Sequence, residues 1–211
     1  MNRSRSIGLL GSTALACIFF GGFPAWGGTE LGNSGNVVAC LDGRIEVLDL
    51  YEARALYGLQ LDKNLPSDAL PIDLAQTELG KLRSVDPVYF QLVRAELDRI
   101  QSEIRFLPPS NCLTPLPDGF PIVLPRSCEI RLLANYSDTL ETVWIDQDLW
   151  ARLGSVQQAA LLLHESVYRT ERVRYSAENS ILSRKIVAHL FSNAALDADL
   201  WRQIHPDSSA E

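Results

Sequence analysis

The sequence predicts a single α+β domain that is mostly helical and contains a small antiparallel sheet. Two short apolar runs flank an Asp-Gly pair early in the chain, and a second pair of apolar runs follows near residue 130. Amphipathic segments with helical spacing fill most of the remainder. A chain of 211 residues, 46% of them hydrophobic, is long enough to bury one core of this kind.

The first predicted element is a β-hairpin. The runs 37–41 and 44–48 lie on either side of Asp42-Gly43. Asp-Gly favours a two-residue hairpin turn because both central positions adopt positive φ angles. A helix is expected over residues 49–57, and Gly58 would end it.

Two helices are predicted in the next part of the chain. Residues 72–82 form a moderately amphipathic segment. Asp86-Pro87 is a typical helix start, because aspartate accepts from the free amides of the first turn and proline has the φ angle of that turn. Apolar residues then recur at helical spacing as far as Ile104, and Pro108-Pro109 would end this helix.

The second pair of apolar runs is predicted as two further strands. They cover residues 129–134 and 141–145, and residues 135–139 between them are suited to a turn. We therefore expect an antiparallel pair of strands here. A short helix is expected over residues 146–153.

The longest predicted helix covers residues 156–172. Ser155 followed by Gln158 matches a capping box at its start. Apolar residues cover most of its circumference, which predicts a central position in the core. Two further helices are expected, one over residues 176–191 with its first residue as the cap, and one over residues 196–204.

Residues 1–27 have the layout of a secretory signal peptide. A positively charged start precedes the apolar stretch 7–20, and Ala25-Trp26-Gly27 places small residues just before a cleavage point. Cys17 lies inside the apolar stretch, which argues against a lipoprotein signal. An uncleaved membrane anchor is the alternative, since the apolar segment nearly reaches membrane-spanning length. We expect a mature domain, 28–211, that is periplasmic or secreted and has no stable membrane span.

The charge balance is acidic. There are 19 Lys and Arg against 26 Asp and Glu, a net charge of −7. Cleavage after residue 27 removes two arginines and no acidic residue, leaving 17 against 26 and a net charge of −9. Nucleic acids attract clustered positive charge, so we expect no nucleic-acid partner. The sequence leaves the actual partner unknown.

The mature chain would retain three of the four cysteines. Exported proteins meet oxidising conditions, in which disulfides form. We favour a bond between Cys112 and Cys128, because it would close the Pro-rich loop between them and stabilise the fold by about 3 kcal/mol. Cys40 lies in an apolar strand and would remain a buried thiol. The pairings of Cys40 with Cys112 or with Cys128 are the alternatives.

His164-Glu165 in the long apolar helix is the main candidate for chemistry. The segment LLLHESVYR resembles the active-site helix of zincin-like metalloproteases, in which two histidines four residues apart bind zinc and a glutamate activates water. The resemblance covers residues 143–172, but Tyr168 occupies the second histidine position. It implies His164, Tyr168 and the more distant Glu178 as metal ligands, with Glu165 as the catalytic base.

A structural interpretation of the same helix competes with this hypothesis. A phenol is a poor zinc ligand near neutral pH, so we expect that the helix has lost its metal site. Glu165 and Arg169 are four residues apart in the order that favours an ion pair. His164 would then donate to a backbone carbonyl or to Tyr168. No cofactor is expected on this interpretation, and zinc belongs to the hydrolase alternative.

Several segments also resemble a group of uncharacterised exported bacterial proteins. They are GNVVACLDGRIEVLDLYEARALYGL, RSCEIRLLA, WIDQDLW and LLLHESVYR. This resemblance implies an envelope or extracellular location and no specific activity. We therefore expect an exported protein with a non-catalytic binding or structural role in the cell envelope. The alternative is a zincin-like metal-dependent hydrolase with an atypical HExxY motif.

Overall fold

A computed structural model describes residues 35–62, 64–108, 113, 123–137 and 139–206. The predicted signal peptide lies outside these residues. Within them the fold is α+β, as predicted, with seven α-helices and two three-stranded sheets. The strands are β1 (Asn36–Cys40), β2 (Ile45–Val47), β3 (Ile104–Leu107), β4 (Cys128–Leu132), β5 (Ala134–Ser137) and β6 (Thr142–Asp146). The helices are α1 (Leu48–Ala55), α2 (Pro71–Leu79) with a 3₁₀ turn (Gly80–Leu82), α3 (Pro87–Glu103), α4 (Gln147–Ala151), α5 (Ser155–Tyr175), α6 (Ile181–Leu190) and α7 (Ala198–Ile204).

The predicted N-terminal hairpin is confirmed, but the predicted two-residue turn is wrong. The Cys40 amide donates to the Arg44 carbonyl, so the loop contains the three residues 41–43, and Asp42 does not have the positive φ expected of it. Strands β1 and β2 pair antiparallel, with Val37 opposite Val47 and Ala39 opposite Ile45. Gly43 in the turn has a φ of 88°, a conformation that glycine adopts without steric cost. Helix α1 begins at the residue after β2, so no loop separates the hairpin from the first helix.

The first sheet has the strand order β2-β1-β4, with β4 antiparallel to β1. The predicted pairing of residues 129–134 with 141–145 is therefore wrong. The chain bends after β4, so that residues expected to form a turn make up β5 instead. Strand β5 is the antiparallel partner of β6.

The second sheet has the order β3-β6-β5 and is mixed. Strand β3 runs parallel to β6, with Ile104 opposite Val143. We expected helix α3 to continue as far as Pro108-Pro109. It ends at Glu103, because Ile104 takes an extended conformation with φ −64° and ψ 132°. The described residues thus form two small sheets in place of the small antiparallel sheet predicted.

A disulfide joins Cys40 to Cys128. The two residues are direct neighbours across β1 and β4, with their Cα atoms 4.0 Å apart. The predicted bond between Cys112 and Cys128 is wrong, as is the free thiol predicted at Cys40. Cys112 itself lies outside the described residues. The alternative pairing of Cys40 with Cys128 is the one found. The entropy of closing a short loop favoured Cys112, whereas the register of two distant strands decides which sulfur atoms meet.

Helix α5 is central, as predicted. It packs against α2, α3 and α6, and every side chain from Ala159 to Tyr168 is buried. The predicted capping box is not formed. Gly154 is the N-cap and Ser155 is already the first helical residue. The side-chain amide of Gln158 instead donates to the backbone carbonyl oxygen of Trp150, which connects α5 to α4.

Some of the other helix ends have the predicted capping residue and others do not. Asp86 caps α3 as expected, and Asp197 caps α7 in the same way. Ser176 ends α5 in the left-handed conformation, whereas we expected it to begin the next helix. Helix α6 starts after Ser180. Within the described residues, no helix has both the length and the apolar character needed to cross a membrane.

Candidate functional site

His164 and Asp49 form a hydrogen-bonded pair in the interior. The imidazole Nδ1 lies 2.7 Å from the Asp49 carboxylate, and both side chains are at most 1% exposed. Asp49 lies in the first turn of α1, and His164 in the middle of α5. The expected partner of His164, a backbone carbonyl or Tyr168, is replaced by a carboxylate from a distant helix.

A second buried ion pair connects α1 to α6. The Arg184 guanidinium donates to Glu52 at 2.9 Å and to the Ser180 hydroxyl at 2.8 Å. Arg184 and Glu52 are each 1% exposed. With Asp49 and His164 this pair makes a cluster, which we call the buried ionic cluster, of two carboxylates and two cationic groups. Its charges balance when His164 is protonated.

The pKa values of this cluster reflect its burial. Burial alone lowers the pKa of His164, but Asp49, supported by Glu165 and Glu52, outweighs it and raises that pKa to about 9. His164 is therefore a cation at neutral pH and donates its Nδ1 proton to Asp49. Burial raises the pKa of Glu52, opposed in part by the attraction of Arg184. In both pairs the oppositely charged partner favours the charged form of a side chain, whereas burial alone favours its neutral form.

Glu165 is held by the backbone at the start of β1. Its Oε1 accepts a 2.7 Å hydrogen bond from the Gly35 amide, and its side chain is 3% exposed. The Gly35 carbonyl accepts in turn from the amides of Leu133 and Ala134, where the chain passes between the two sheets. Gly35 lies so close to α5 that a Cβ there would be 2.0 Å from Leu161 Cδ1. Glu165 therefore joins α5 to the point where both sheets meet.

Tyr168 packs beside His164 without facing solvent. Their ring centroids are 6.2 Å apart, and Tyr168 is 3% exposed. The guanidinium of Arg172 lies 5.7 Å from the Tyr168 ring centroid, within the range of a cation–π contact. Both neighbours are positively charged at neutral pH, and both contact the aromatic ring.

Glu178 is separated from the other proposed zinc ligands. It is exposed in the connection between α5 and α6, whereas His164 lies well inside α5. The helix continues for eleven residues after His164, which is about 16 Å along its axis. The structure thus brings His164 and Tyr168 together but not Glu178. Among the described residues, no group of three or more His, Cys, Asp or Glu side chains is arranged to hold a metal ion.

The chain matches no protein-family model, no curated protein and no solved structure. The resemblances to zincin-like helices and to exported bacterial proteins therefore stay predictions.

Arg169 does not form the predicted ion pair with Glu165. Its guanidinium binds Glu103 at 2.7 Å and Glu96 at 3.2 Å, both on α3, and lies 4.3 Å from the ring centroid of Tyr136. Four-residue spacing brings two side chains close on an isolated helix, but here each has a stronger partner on another element. Arg169 consequently joins α5 to α3 and β5.

A separate buried cluster surrounds Glu171 near the end of α5. Its Oε1 accepts from the Tyr89 hydroxyl at 2.5 Å and lies 2.9 Å from His205 Nε2. The His205 ring stacks on Trp201, with centroids 5.3 Å apart and planes within 17°. Burial raises the pKa of Tyr89 well above its usual value, and the Glu171 carboxylate raises it further. The Tyr89 phenol therefore stays a donor. The contact between Glu171 and His205 holds the C-terminal segment against the core.

Asp49, Glu52 and Arg184 are not among the residues predicted from the sequence. A usable signal was present: Arg184 lies three and four residues before Val187 and Ala188, on the apolar side of α6. A charged residue at helical spacing with core residues indicates a buried pair. The identity of its partner depends on packing between helices and has no local signature.

Proposed function

We propose that the protein is exported and has a non-catalytic binding or structural role in the cell envelope. The burial of His164 and Glu165 supports this most directly. A catalytic base must come within hydrogen-bonding distance of a substrate or its water, whereas Glu165 is 3% exposed and bonded to the backbone of Gly35. Both side chains connect α5 to neighbouring elements, which is a role in stability.

Two features support the export part of the proposal. The disulfide between Cys40 and Cys128 is of a kind that persists in oxidising compartments and is rare in the cytosol. The first 27 residues also combine a basic start, an apolar stretch and small residues before a cleavage point. The two features are independent, because one concerns the folded domain and the other the leader.

A zincin-like hydrolase is the second candidate function. The observation that favours it is the Nε2 atom of His164, which has no hydrogen-bond partner among the described residues. In this alternative His164 and either Tyr168 or Glu178 would bind zinc, and Glu165 would activate water. Access to Nε2 would require the helices around it to separate, because His164 is 1% exposed.

Production of the full chain with its own leader in a Gram-negative host tests the proposal. We expect a periplasmic product that begins near residue 28, contains the Cys40–Cys128 bond and carries substoichiometric zinc by elemental mass spectrometry. His164→Gln and Tyr168→Phe should leave the zinc content unchanged, as should the control His189→Gln. One zinc per chain that is lost in the first two variants and kept in the control would establish the hydrolase alternative. Retention of the uncleaved chain in the cytoplasm would refute export.

A further inference from the structure

A hollow of about 300 Å³ lies on one face of the first sheet, beside the disulfide. We call it the arginine hollow, because Arg126, Arg131 and Arg152 line it together with Ser127 and Glu129. Three guanidinium groups against one carboxylate make it locally positive in a chain whose net charge is −7. This charge contrast makes the hollow a candidate site for an anion.

The donors of the arginine hollow are largely unused. The side chains of Arg126 and Arg131 make no hydrogen bond or ion pair with any residue that the structure describes. Arg152 donates one bond, 3.1 Å long, to the carbonyl oxygen of Gly43. That bond positions the side chain and leaves its other donors available, since a guanidinium carries five N–H groups.

The hollow on the opposite face of the same sheet provides a comparison. It has a volume of about 340 Å³ and is lined by Arg44 and Arg54 among others. Both of these arginines are already paired, Arg44 with Asp42 and Arg54 with Glu46. Of the two hollows, the arginine hollow therefore has the greater capacity to bind an added anion.

The backbone of the arginine hollow is held in place before any ligand arrives. The disulfide Cys40–Cys128 crosses its edge, and the Leu41 amide donates to the Ser127 carbonyl at 2.9 Å. These bonds fix the turn that carries Arg126. Arg131 belongs to the paired strand β4, so its backbone is fixed by the ladder. A preorganised frame reduces the entropy that binding must overcome.

We propose that the arginine hollow binds a small ligand through a phosphate group. This deepens the proposed binding role, on which it rests. Guanidinium groups match the geometry of phosphate oxygens and donate two bonds at once, and phosphate has more acceptor sites than a carboxylate for three such groups. The Ser127 hydroxyl supplies a neutral donor, and the Glu129 carboxylate supplies an acceptor for a ligand hydroxyl.

The size and surroundings of the hollow favour a small ligand over a polyanion. Its volume is at the lower end of the range for small-molecule sites. The net negative charge of the whole chain opposes long anionic polymers and densely anionic surfaces. One phosphate group on a small molecule meets the local positive charge without facing most of this repulsion.

Calorimetric titration of the mature protein with inorganic phosphate and with glycerol 3-phosphate tests the site. Sedimentation with phosphatidylcholine vesicles, with and without phosphatidic acid, tests a lipid headgroup as the source of the phosphate. We expect Arg126→Gln and Arg131→Gln each to weaken binding about tenfold. Arg174→Gln is the matched control, because Arg174 is exposed at the end of α5, outside the hollow. It should change binding less than twofold.

Each outcome of these titrations either supports or overturns a phosphate site in the arginine hollow. Binding of the free phosphates that depends on Arg126 and Arg131 supports a soluble ligand, and binding of the vesicles alone with the same dependence supports a lipid headgroup. No binding in either assay overturns the site, as does equal weakening by Arg174→Gln. Thermal unfolding of each variant shows whether it is folded. Stoichiometric zinc would overturn the non-catalytic role without affecting phosphate titration, so the two failures are distinguishable.

Discussion

His164 on α5 donates to Asp49 on α1 across 2.7 Å, although 115 residues separate them in the chain. The pair is enclosed, and Glu52 and Arg184 extend it to α6. Three helices thus share one charge-balanced cluster. Buried ion pairs of this kind often add little net stability, but the loss of one partner leaves an uncompensated charge inside. These two pairs connect α1 to α5 and to α6.

The protonation of His164 predicts a pH-dependent stability. Its pKa is about 9 in the folded protein, against 6.5 for an unperturbed histidine. A raised pKa means that the stabilisation is complete below pH 6.5 and is lost as the pH rises through 9. Denaturant titrations should therefore show the free energy of unfolding falling across this interval. His164→Gln should flatten the slope.

His189 provides the matched control for that experiment. It is half-buried, and burial together with Lys185 lowers its pKa, so it is neutral throughout the alkaline interval. His189→Gln should keep the slope between pH 7 and 9. The same slope in wild type and His164→Gln would show that His164 does not carry the charge.

Removal of one member of the Glu52–Arg184 pair should be costly. Arg184→Met leaves Glu52 buried without its cation, and we expect a loss of about 3–5 kcal/mol in the free energy of unfolding. The double variant Glu52→Gln with Arg184→Met should recover much of this loss. Arg94→Met is a control, because its partner Asp98 is half exposed. Additive effects of the two single changes would contradict coupling within the pair.

Gly35→Ala should destabilise the protein through a steric clash. The added methyl group would lie 2.0 Å from Leu161 Cδ1 and 3.0 Å from Glu165 Oε1, and overpacking of this kind costs about 1–3 kcal/mol. Leu161→Ala in the same chain should partly relieve the clash, which a double-mutant cycle would measure. Gly80→Ala is the control, since nothing lies within 4 Å of a Cβ there. Equal effects of the two alanines would contradict the close approach.

The disulfide predicts a specific cross-linked peptide. Proteolysis without reduction should yield a fragment that joins Cys40 to Cys128, and Cys112→Ser should leave it unchanged. Cys128→Ser should lower the free energy of unfolding by about 2–4 kcal/mol. A fragment that joins Cys112 to Cys128 would contradict the observed strand register.

Local signals in the sequence were sufficient for some elements of the fold. Asp42-Gly43 determines its hairpin, and Asp86 with Pro87 determines a helix start, because in both cases the interacting groups lie within a few residues. Strand β3 was not recognised, since Ile104 continues the apolar spacing of α3. Its extended conformation depends on pairing with β6, some forty residues later.

In the candidate site, too, features set by neighbouring residues could be predicted and contacts between distant residues could not. The helix that carries His164 and Glu165 was identified, and its central position follows from its apolar circumference. The partners Asp49 and Gly35 were not identified, because each lies more than a hundred residues away. A motif of two adjacent residues can indicate a catalytic site, but it does not show whether the two side chains are exposed to solvent.

The Cys40–Cys128 bond spans 88 residues, and the proposed export gives this spacing a consequence for biogenesis. A chain that crosses a membrane from its N-terminus presents Cys40 first, Cys112 next and Cys128 last. The first thiol that Cys40 meets outside is therefore not its native partner. An oxidase acting on the emerging chain would join Cys40 to Cys112, and a disulfide isomerase would then be needed. The yield of exported protein should depend on that isomerase, and Cys112→Ser should remove the dependence.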